Sequence, residues 1–290
     1  MTDPFNSIAI IGAGRVGSSL LNFFLSKNIQ VSAVVDTAQA RLAAVRVTAG
    51  TCALHDDPRC LDPSVPSIIL CVPDDRIASV ASTLASTRTE FHGVFVAHTS
   101  GLRTSDELRV LSERGAIAGS LHPIQSFPAK GLHPQLLEGI GCGIEGPEVF
   151  LDTARRFLSF LGWSAVNVRK SHKPLYHLAC VFAGNFLTTL GSEVLDLLRI
   201  STEDGGYRHI FPMADTVIRR LVNTIPASAL SGPIARGDTE TLAVHVQSLR
   251  AHVPELIPLY CEFVKRSLRL VDLPDDHKRK ILSCIGDGEG

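Results

Sequence analysis

Three glycines near the start of the chain have the spacing of a pyrophosphate-binding loop. Gly12, Gly14 and Gly17 follow a short apolar run and precede a helical pattern of apolar residues. In a G-x-G-x-x-G segment the first glycine permits a tight strand-to-helix turn, the second lets a pyrophosphate approach the backbone, and the third lets the helix pack closely on the strand. The N–H groups at the start of the helix attract the phosphates. The segment predicts dinucleotide binding, and a purely structural turn is the alternative.

The choice of dinucleotide depends on Asp36, which ends the predicted second strand. A carboxylate at this place can bond both ribose hydroxyls of adenosine and repels a 2′-phosphate, so it favours NAD over NADP. Arg41, five residues further on, has a guanidinium that can bind such a phosphate, so NADP stays open. The alternative for Asp36 is an ordinary turn or N-cap residue.

Another predicted strand ends at Val72 and is followed by Pro73. The carboxyl ends of the strands of a doubly wound sheet line the ligand crevice, so the backbone of both residues is expected beside the cofactor. The aspartates that follow, Asp74 and Asp75, are predicted as helix N-caps, with catalysis as the alternative, and Asp74 is also predicted to contact the cofactor. The predicted cofactor-binding residues are Gly12, Ala13, Gly14, Arg15, Val16, Gly17, Asp36, Val72, Pro73 and Asp74.

Two histidines, His98 and His122, closely follow consecutive predicted strands, so both are expected near one edge of the sheet. An imidazole can polarise a carbonyl or exchange a proton near pH 7. We predict His122 as a catalytic residue and His98, with its neighbour Ser100 and with Gln125, as substrate-binding. The alternative is that both histidines are structural.

The first long helix of the second half carries Lys173, His177 and Asn185, all predicted as catalytic residues. The lysine can donate a proton or anchor a carboxylate, and buried polar groups on such a helix need a partner, which a substrate can supply. The apolar neighbours that predict a largely buried helix are Leu178, Ala179, Phe182 and Leu187. The alternative is a surface lysine with a satisfied core histidine and asparagine.

A later loop, between a Gly232-Pro233 turn and a helix capped by Asp238, carries Arg236. Its guanidinium has the fork geometry to bind a carboxylate through two hydrogen bonds, so we predict it as substrate-binding. An ordinary solvated arginine is the alternative.

Composition excludes several other classes of protein. The chain has 290 residues, 45% of them apolar and 20% charged, so it can bury substantial cores. Because its net charge is −1, it is not expected to bind nucleic acid or an anionic membrane. No apolar run is read as long enough to span a bilayer, and the N-terminus does not resemble a signal peptide. The seven cysteines are scattered without a metal-ligand spacing, which predicts reduced thiols, no metal site and a cytoplasmic location.

The predicted elements place these residues on an α/β fold. Short β-rich runs alternate with helical patterns, which predicts a doubly wound parallel sheet, the Rossmann architecture, over residues 1–168. The predicted strands are Ser7–Ile11, Gln30–Val35, Ser67–Val72, Gly93–Ala97, Ala116–Ser120 and Ser164–Val168, with Gly50–Leu54 as a further short one and Val149–Leu161 as a crossover helix.

Residues 169–290 are predicted as an all-helical domain, because strand-like alternation disappears there. The predicted helices are Leu175–Leu198, Phe211–Thr224, Asp238–Ser248, Glu255–Val271 and Asp275–Cys284.

Taken together, the motifs resemble those of Rossmann-like NAD(P) oxidoreductases with a C-terminal domain of unknown function, a family similar to pyrroline-5-carboxylate reductase, prephenate dehydrogenase and the 3-hydroxyisobutyrate and 6-phosphogluconate dehydrogenases. The segments that carry the resemblance are Ile10–Gly17, Val72–Asp75, His98–Gly101, Leu121–Phe127, Lys173–Asn185 and Gly232–Asp238.

The resemblance implies an all-helical C-terminal domain like that of 6-phosphogluconate dehydrogenase, dimers formed through it, and an active site between the domains. The hydroxyacid dehydrogenases place asparagine four residues after their catalytic lysine. Here His177 occupies that position, and asparagine follows only at Asn185.

The resulting hypothesis is an NAD(P)-dependent oxidoreductase that moves hydride between nicotinamide and a small oxo or imino acid. Candidate proton donors are His122, Lys173 and His177. The alternative is a catalytically silent dinucleotide-binding sensor or interaction protein, which would need the glycine loop but not the proton donors.

Overall fold

The computed structural model describes residues 5–128, 133–204 and 206–286. The chain divides into two compact units, residues 1–191 and 192–290. The predicted domain boundary after residue 168 directly follows the last strand, and it stays a prediction.

The first unit is built on one eight-stranded sheet in the order β3-β2-β1-β4-β5-β6-β7-β8. The strands are β1 Ile8–Ile11, β2 Val31–Val35, β3 Ala53–His55, β4 Ser67–Leu70, β5 Phe95–His98, β6 Ile117–Pro123, β7 Gly141–Glu145 and β8 Ser164–Asn167. Strands β1 to β6 are parallel and follow the doubly wound order. The order reverses between β1 and β4, so a ligand crevice is expected outside the carboxyl ends of these two strands. The predicted fold class is confirmed.

Strand β7 is missing from the sequence-based prediction and runs antiparallel to β6. Its local signal is weak, because the glycines at 141 and 143 dilute the β-branched pattern that identifies a strand. The register pairs Ser120 with Glu145 and His122 with Gly143. This antiparallel strand therefore places Glu145 beside β6, level with His98 at the end of β5.

Helices cover both faces of the sheet and bury two apolar cores. The helices of the first unit are α1 Arg15–Ser26, α2 Gln39–Ala49, α3 Ile77–Ala85, α4 Arg109–Ser112, α5 Glu148–Leu161 and α6 Lys173–Val181. Helices α1, α2 and α5 pack on one face, and α3 and α4 on the other. Helix α5 ends at Gly162, which has the left-handed backbone (φ +74°) that glycine adopts without strain.

The prediction of a largely buried first C-terminal helix is wrong for the single chain. Helix α6 continues through a π turn, Phe182–Phe186, into α7, Leu187–Ser201. Phe182 is 60% exposed and Leu178 45% exposed. The continuous helix over residues 170–201 has a mean hydropathy of 1.4 in its most apolar window, so by length and composition it is able to cross a membrane. The reading that no apolar run is long enough is therefore corrected, because the uncharged stretch between Lys173 and Glu193 was not counted as one segment.

The second unit is helical, as predicted, and has its own apolar core. Its helices after α7 are α8 Phe211–Asn223, α9 Pro226–Ala229, α10 Pro233–Arg236, α11 Thr239–His252, α12 Ile257–Ser267 and α13 Asp275–Ile285. The predicted cap is confirmed, because the Asp238 side chain accepts a hydrogen bond from the Thr241 backbone N–H (3.0 Å) at the start of α11.

Candidate active site

The glycine loop between β1 and α1 has the shape that a pyrophosphate needs. Gly12 has φ +102°, and a Cβ there would lie 2.6 Å from the carbonyl oxygen of Cys71. A Cβ at Gly17 would lie 1.8 Å from the carbonyl oxygen of Gly12, so both positions require glycine. At Gly14 a Cβ would meet nothing within 4 Å, which leaves the start of α1 open. No side chain caps this helix, so its first N–H groups are available to an anion.

A cavity of about 510 Å³ lies at the carboxyl ends of β1 and β4, where the strand order reverses. Four of the predicted cofactor-binding residues line it: Gly12, Asp36, Val72 and Pro73. Its volume falls within the range of small-molecule and cofactor sites. The observed geometry therefore fits the adenosine half of a nicotinamide dinucleotide.

Asp36 is buried beside this cavity and is tied to the glycine loop. Its Oδ2 accepts a hydrogen bond from the backbone N–H of Ala13 (2.8 Å) and lies 3.4 Å from Nη1 of Arg41. Its Oδ1 accepts from the backbone N–H of Ala38 (2.8 Å). A carboxylate has about four acceptor positions, so Asp36 keeps capacity for ribose hydroxyls.

His98 is fully buried at the end of β5, and both of its ring nitrogens are engaged inside the protein. Nδ1 accepts from the backbone N–H of Ser100 (3.3 Å), so Nε2 carries the hydrogen and donates it to the carbonyl of Thr104 (3.0 Å). Burial, followed by the nearby charge of Lys173, lowers the pKa of His98 to about 4. In this arrangement His98 holds the loop that follows β5.

This histidine makes the stability of the fold pH-dependent. An unfolded histidine binds a proton near pH 6.5, whereas folded His98 does so only near pH 4, so acidification across this window favours the unfolded state. We expect the free energy of unfolding to fall by up to about 3 kcal/mol on account of His98, measured by denaturant titration at several pH values. The His98→Gln variant should show a shallower dependence, with the remaining slope coming from His122. An identical slope in both proteins would contradict this assignment.

Ser100 holds the loop together and anchors Asp74. Its hydroxyl donates to Oδ2 of Asp74 (2.8 Å) and accepts from the backbone N–H groups of Leu102 (3.1 Å) and Arg103 (2.9 Å). The predicted N-cap role of Asp74 and Asp75 is therefore wrong. The N-cap of the 3₁₀ turn Asp74–Arg76 is Pro73, and the N-cap of α3 is Arg76. The Asp74 carboxylate instead accepts a hydrogen bond from Ser100, in the loop that follows β5.

His122, on β6, is oriented by Tyr176 of helix α6. The Tyr176 hydroxyl lies 2.7 Å from Nδ1 of His122. When this hydroxyl donates its hydrogen to Nδ1, a neutral ring carries its own hydrogen on Nε2. Burial, followed by the charges of His177 and Lys173, lowers the pKa of His122 to about 4.

Gly101 is the point on which two histidine rings converge. A Cβ there would lie 2.7 Å from Cδ2 of His177 and 2.9 Å from Nε2 of His122. The centroids of the two rings are 6.2 Å apart. The Nε2–H of His122 therefore faces the carboxyl edge of the sheet, beside the backbone that follows β5.

Lys173 begins helix α6 and forms a buried ion pair. Its Nζ lies 3.4 Å from Oε2 of Glu145, and the side chains are 1% and 3% exposed. Glu145 also accepts from the backbone N–H (2.8 Å) and hydroxyl (2.7 Å) of Ser105. Burial lowers the pKa of Lys173 to about 8, and Glu145 opposes that shift. The ammonium is thus poised to lose or gain a proton near neutral pH.

The structure brings His98, His122, Lys173 and His177 together: the charge of Lys173 acts on His98 and His122, and the ring of His122 lies beside that of His177. Three other predicted site residues do not join this cluster. Gln125 is exposed and donates from Nε2 to the carbonyl of Leu136 (2.8 Å). Asn185 is exposed on the π turn, and within the described residues its side chain makes no hydrogen bond. Arg236 belongs to the second unit, where it lies 4.0 Å from Asp238.

Two residues of the cluster, Glu145 and Tyr176, were missed by the sequence-based prediction. Glu145 ends the unpredicted strand β7, so it was not examined as a strand-end residue. Tyr176 lies between Lys173 and His177, and its position three residues after the lysine is the signal that was available.

Comparison with known proteins agrees with this architecture. Residues 1–123 match the family model of a Rossmann-like domain, and residues 140–267 match that of a domain of unknown function, DUF2520. The two matched segments follow one another in the order that the resemblance implies. Comparison with curated protein sequences gave no match.

Solved structures of nicotinamide-dependent oxidoreductases share the fold at low identity. A protein assigned as an NADP oxidoreductase from Bacteroides fragilis is 20% identical, with a TM-score of 0.72 over 92% of this chain and 100% of its own. The reductive aminase from Aspergillus terreus, in complex with NADPH and ethyl-5-oxohexanoate, is 16% identical, with a TM-score of 0.62 over 91% and 94%. Prephenate dehydrogenase from Aquifex aeolicus, with NAD⁺ and hydroxyphenyl propionate, is 15% identical, with a TM-score of 0.54 over 91% and 98%.

Proposed function

We propose that the protein is an NAD(P)-dependent oxidoreductase that moves hydride between nicotinamide and the carbonyl or imine carbon of a small oxo or imino acid. The observation that carries this proposal is the cluster of buried Lys173 with half-buried His122 and His177, in the same unit as the glycine loop. The structural neighbours, which bind NADP or NAD, support the cofactor class. The bound nicotinamide would supply or accept the hydride.

Lys173 is proposed as the proton donor. When a carbonyl or imine is reduced, negative charge develops on its oxygen or nitrogen, and a positioned acid neutralises it. An ammonium whose pKa is lowered to about 8 by burial gives up its proton more readily than an exposed lysine. Its positive charge also attracts a substrate carboxylate before reaction.

His122 is proposed to orient the substrate rather than to protonate it. With Nδ1 held by Tyr176, the neutral ring presents an Nε2–H that can donate a hydrogen bond to the reacting oxygen or nitrogen. His177 lies beside it across Gly101 and is proposed as the substrate-binding group on the other side. Roles for Asn185 and Arg236 stay predictions.

For the dinucleotide we propose NAD over NADP, on account of Asp36. Its buried carboxylate lines the cavity and would repel a 2′-phosphate, while Arg41 offsets part of that repulsion. We expect NADH to bind more tightly than NADPH in a fluorescence titration, and Arg41→Ala to weaken NADPH binding without changing that of NADH. The reverse preference in the wild-type protein would overturn the assignment.

A second copy of the chain is proposed to cover the apolar face of helices α6 and α7. The exposed apolar side chains of this face are Leu175, Leu178, Phe182, Phe186, Leu187, Leu190, Leu197 and Ile200. A membrane is a poorer partner, because Lys173 at the start of the helix is buried against Glu145 and the second half carries Glu193 and Asp196. A homodimer without membrane attachment agrees with the predicted cytoplasmic location.

The dimer gives a direct prediction for substitutions on this face. Phe182→Asp should shift the molar mass measured by light scattering from dimer to monomer, because it places a charge in an apolar interface. Val47→Asp is the matched control, since Val47 is 94% exposed on α2, and it should leave the mass unchanged. A wild-type protein that is monomeric, or soluble only in detergent, would contradict the proposal.

The proposed function is tested by mixing the protein with NADH and NADPH and a panel of oxo acids and cyclic imines. Loss of reduced-nicotinamide absorbance with at least one compound, absent with Lys173→Met, is the expected result. Tight dinucleotide binding without turnover of any compound, and without an effect of Lys173→Met, would favour the silent sensor instead.

A further inference from the structure

A second cavity, of about 270 Å³, is lined in part by Glu145 of the buried ion pair. Its other polar lining residues are Ser105, Asn167 and Lys170. At about 30 Å³ per water molecule, it has room for several waters. Lys170, at its edge, is half-exposed and pairs with Asp106 (2.8 Å), so the cavity connects with the surface.

Glu145 is the group that separates this cavity from Lys173. Its Oε2 faces the ammonium at 3.4 Å, and both of its oxygens accept from Ser105, which lines the cavity. The other titratable groups around the ammonium are held elsewhere: Asp74 accepts from Ser100, and His98 bonds its own loop. Among the described residues, Glu145 is thus the acidic group that hydrogen-bonds Lys173.

We propose that Glu145 is a positioning residue that returns protons from the second cavity to Lys173. The inference rests on the proposed function, in which Lys173 gives a proton to the substrate in each turnover. Lys173 must regain this proton before the next turnover, and the cavity that Glu145 lines is the route we propose for it.

The proton balance of this relay follows from the ion pair. Once Lys173 has given its proton to the substrate, Nζ is neutral and Glu145 is a buried carboxylate without its counter-charge. The carboxylate then takes a proton from a hydronium ion in the cavity, which becomes a neutral water molecule. The Glu145 carboxyl transfers this proton to Nζ, and the ion pair is restored. No electrons move in these two steps.

The test measures proton exchange at Lys173 directly and needs no substrate. In protein labelled with ¹⁵N-lysine, the exchange rate of the Nζ hydrogens with water is measured by NMR, and the signal is assigned by its absence in Lys173→Met. Glu145→Gln keeps the size of the side chain but cannot relay a proton. Because Glu145 raises the pKa of Lys173, that pKa is measured in both proteins, and the exchange rate corrected for it should slow by about 10²-fold or more. An unchanged rate would overturn the proposal.

A second variant keeps the test decisive if Glu145→Gln does not fold. Asn167→Trp places a bulky ring at the lining of the cavity without touching the ion pair, and it should also slow the exchange. Ser164→Trp, on the same strand but outside the cavity, is the matched control and should not. Equal rates for both tryptophan variants would contradict the relay.

Dinucleotide titration of the same samples separates this inference from the proposed function. Slow exchange in Glu145→Gln, together with no dinucleotide binding by the wild-type protein, would support the proton relay and refute the proposed oxidoreductase function. Normal binding together with an unchanged exchange rate would refute the relay alone.

Discussion

Replacement of Lys173 by methionine is expected to lower turnover by about 10²- to 10⁴-fold, the usual contribution of a positioned general acid. Methionine has nearly the length of the lysine side chain but neither charge nor proton. Dinucleotide affinity should not change, because Lys173 lies on α6 and not in the glycine loop. The measurement is steady-state turnover with whichever compound of the panel reacts, alongside a dinucleotide titration.

The same substitution leaves Glu145 buried without its partner, so stability must be followed as well. Breaking a buried ion pair costs about 3–5 kcal/mol, and this loss should appear in denaturant unfolding. The double variant Lys173→Met with Glu145→Gln removes both charges and should regain most of that stability without regaining turnover. Recovery of turnover in the double variant would mean that Lys173 acts only through folding.

Replacement of Gly14 by valine is expected to abolish dinucleotide binding in a protein that still folds. A Cβ at Gly14 meets nothing within 4 Å, so the substitution costs the fold little, but the side chain occupies the space through which a pyrophosphate reaches the helix start. We expect the Kd for NADH to rise by at least about 10²-fold, since displacing one diphosphate removes several charge-assisted hydrogen bonds.

A graded series makes this prediction specific. Gly14→Ala should weaken binding less than Gly14→Val, because its methyl group intrudes less. Gly12→Ala should act differently and destabilise the fold, because the φ of +102° and the carbonyl of Cys71 at 2.6 Å exclude a side chain. Unaltered binding by folded Gly14→Val would show that the loop is only a structural turn.

Much of the fold follows from local sequence patterns. Strands β1, β2 and β4 are short apolar runs with strong β propensity, and helix α5 has an apolar stripe ended by Gly162, so each is predicted close to its observed bounds. Strand β7 escapes such a reading because two of its five residues are glycine. Gly143 is glycine for a tertiary reason: the Tyr176 hydroxyl would lie 2.2 Å from a Cβ there.

The candidate site is only partly visible in the sequence. His122 and Lys173 are predictable from their place after a strand and at a helix start. The hydrogen bonds that hold Ser100 and Gln125 within their own loops cannot be predicted in this way. They depend on backbone N–H and carbonyl groups, which carry no sequence signal. The exposure of α6 is likewise hidden, since apolar periodicity does not show whether the covering surface comes from the same chain.

The central claim is that this chain binds a nicotinamide dinucleotide beside a proton-donating lysine. The most direct measurement is a fluorescence titration of the wild-type protein with NADH and NADPH, repeated with Gly14→Val. The account predicts saturable binding of at least one dinucleotide with a Kd below about 1 mM, lost in the variant. A folded wild-type protein that binds neither dinucleotide, or binds equally well with Gly14→Val, would contradict it.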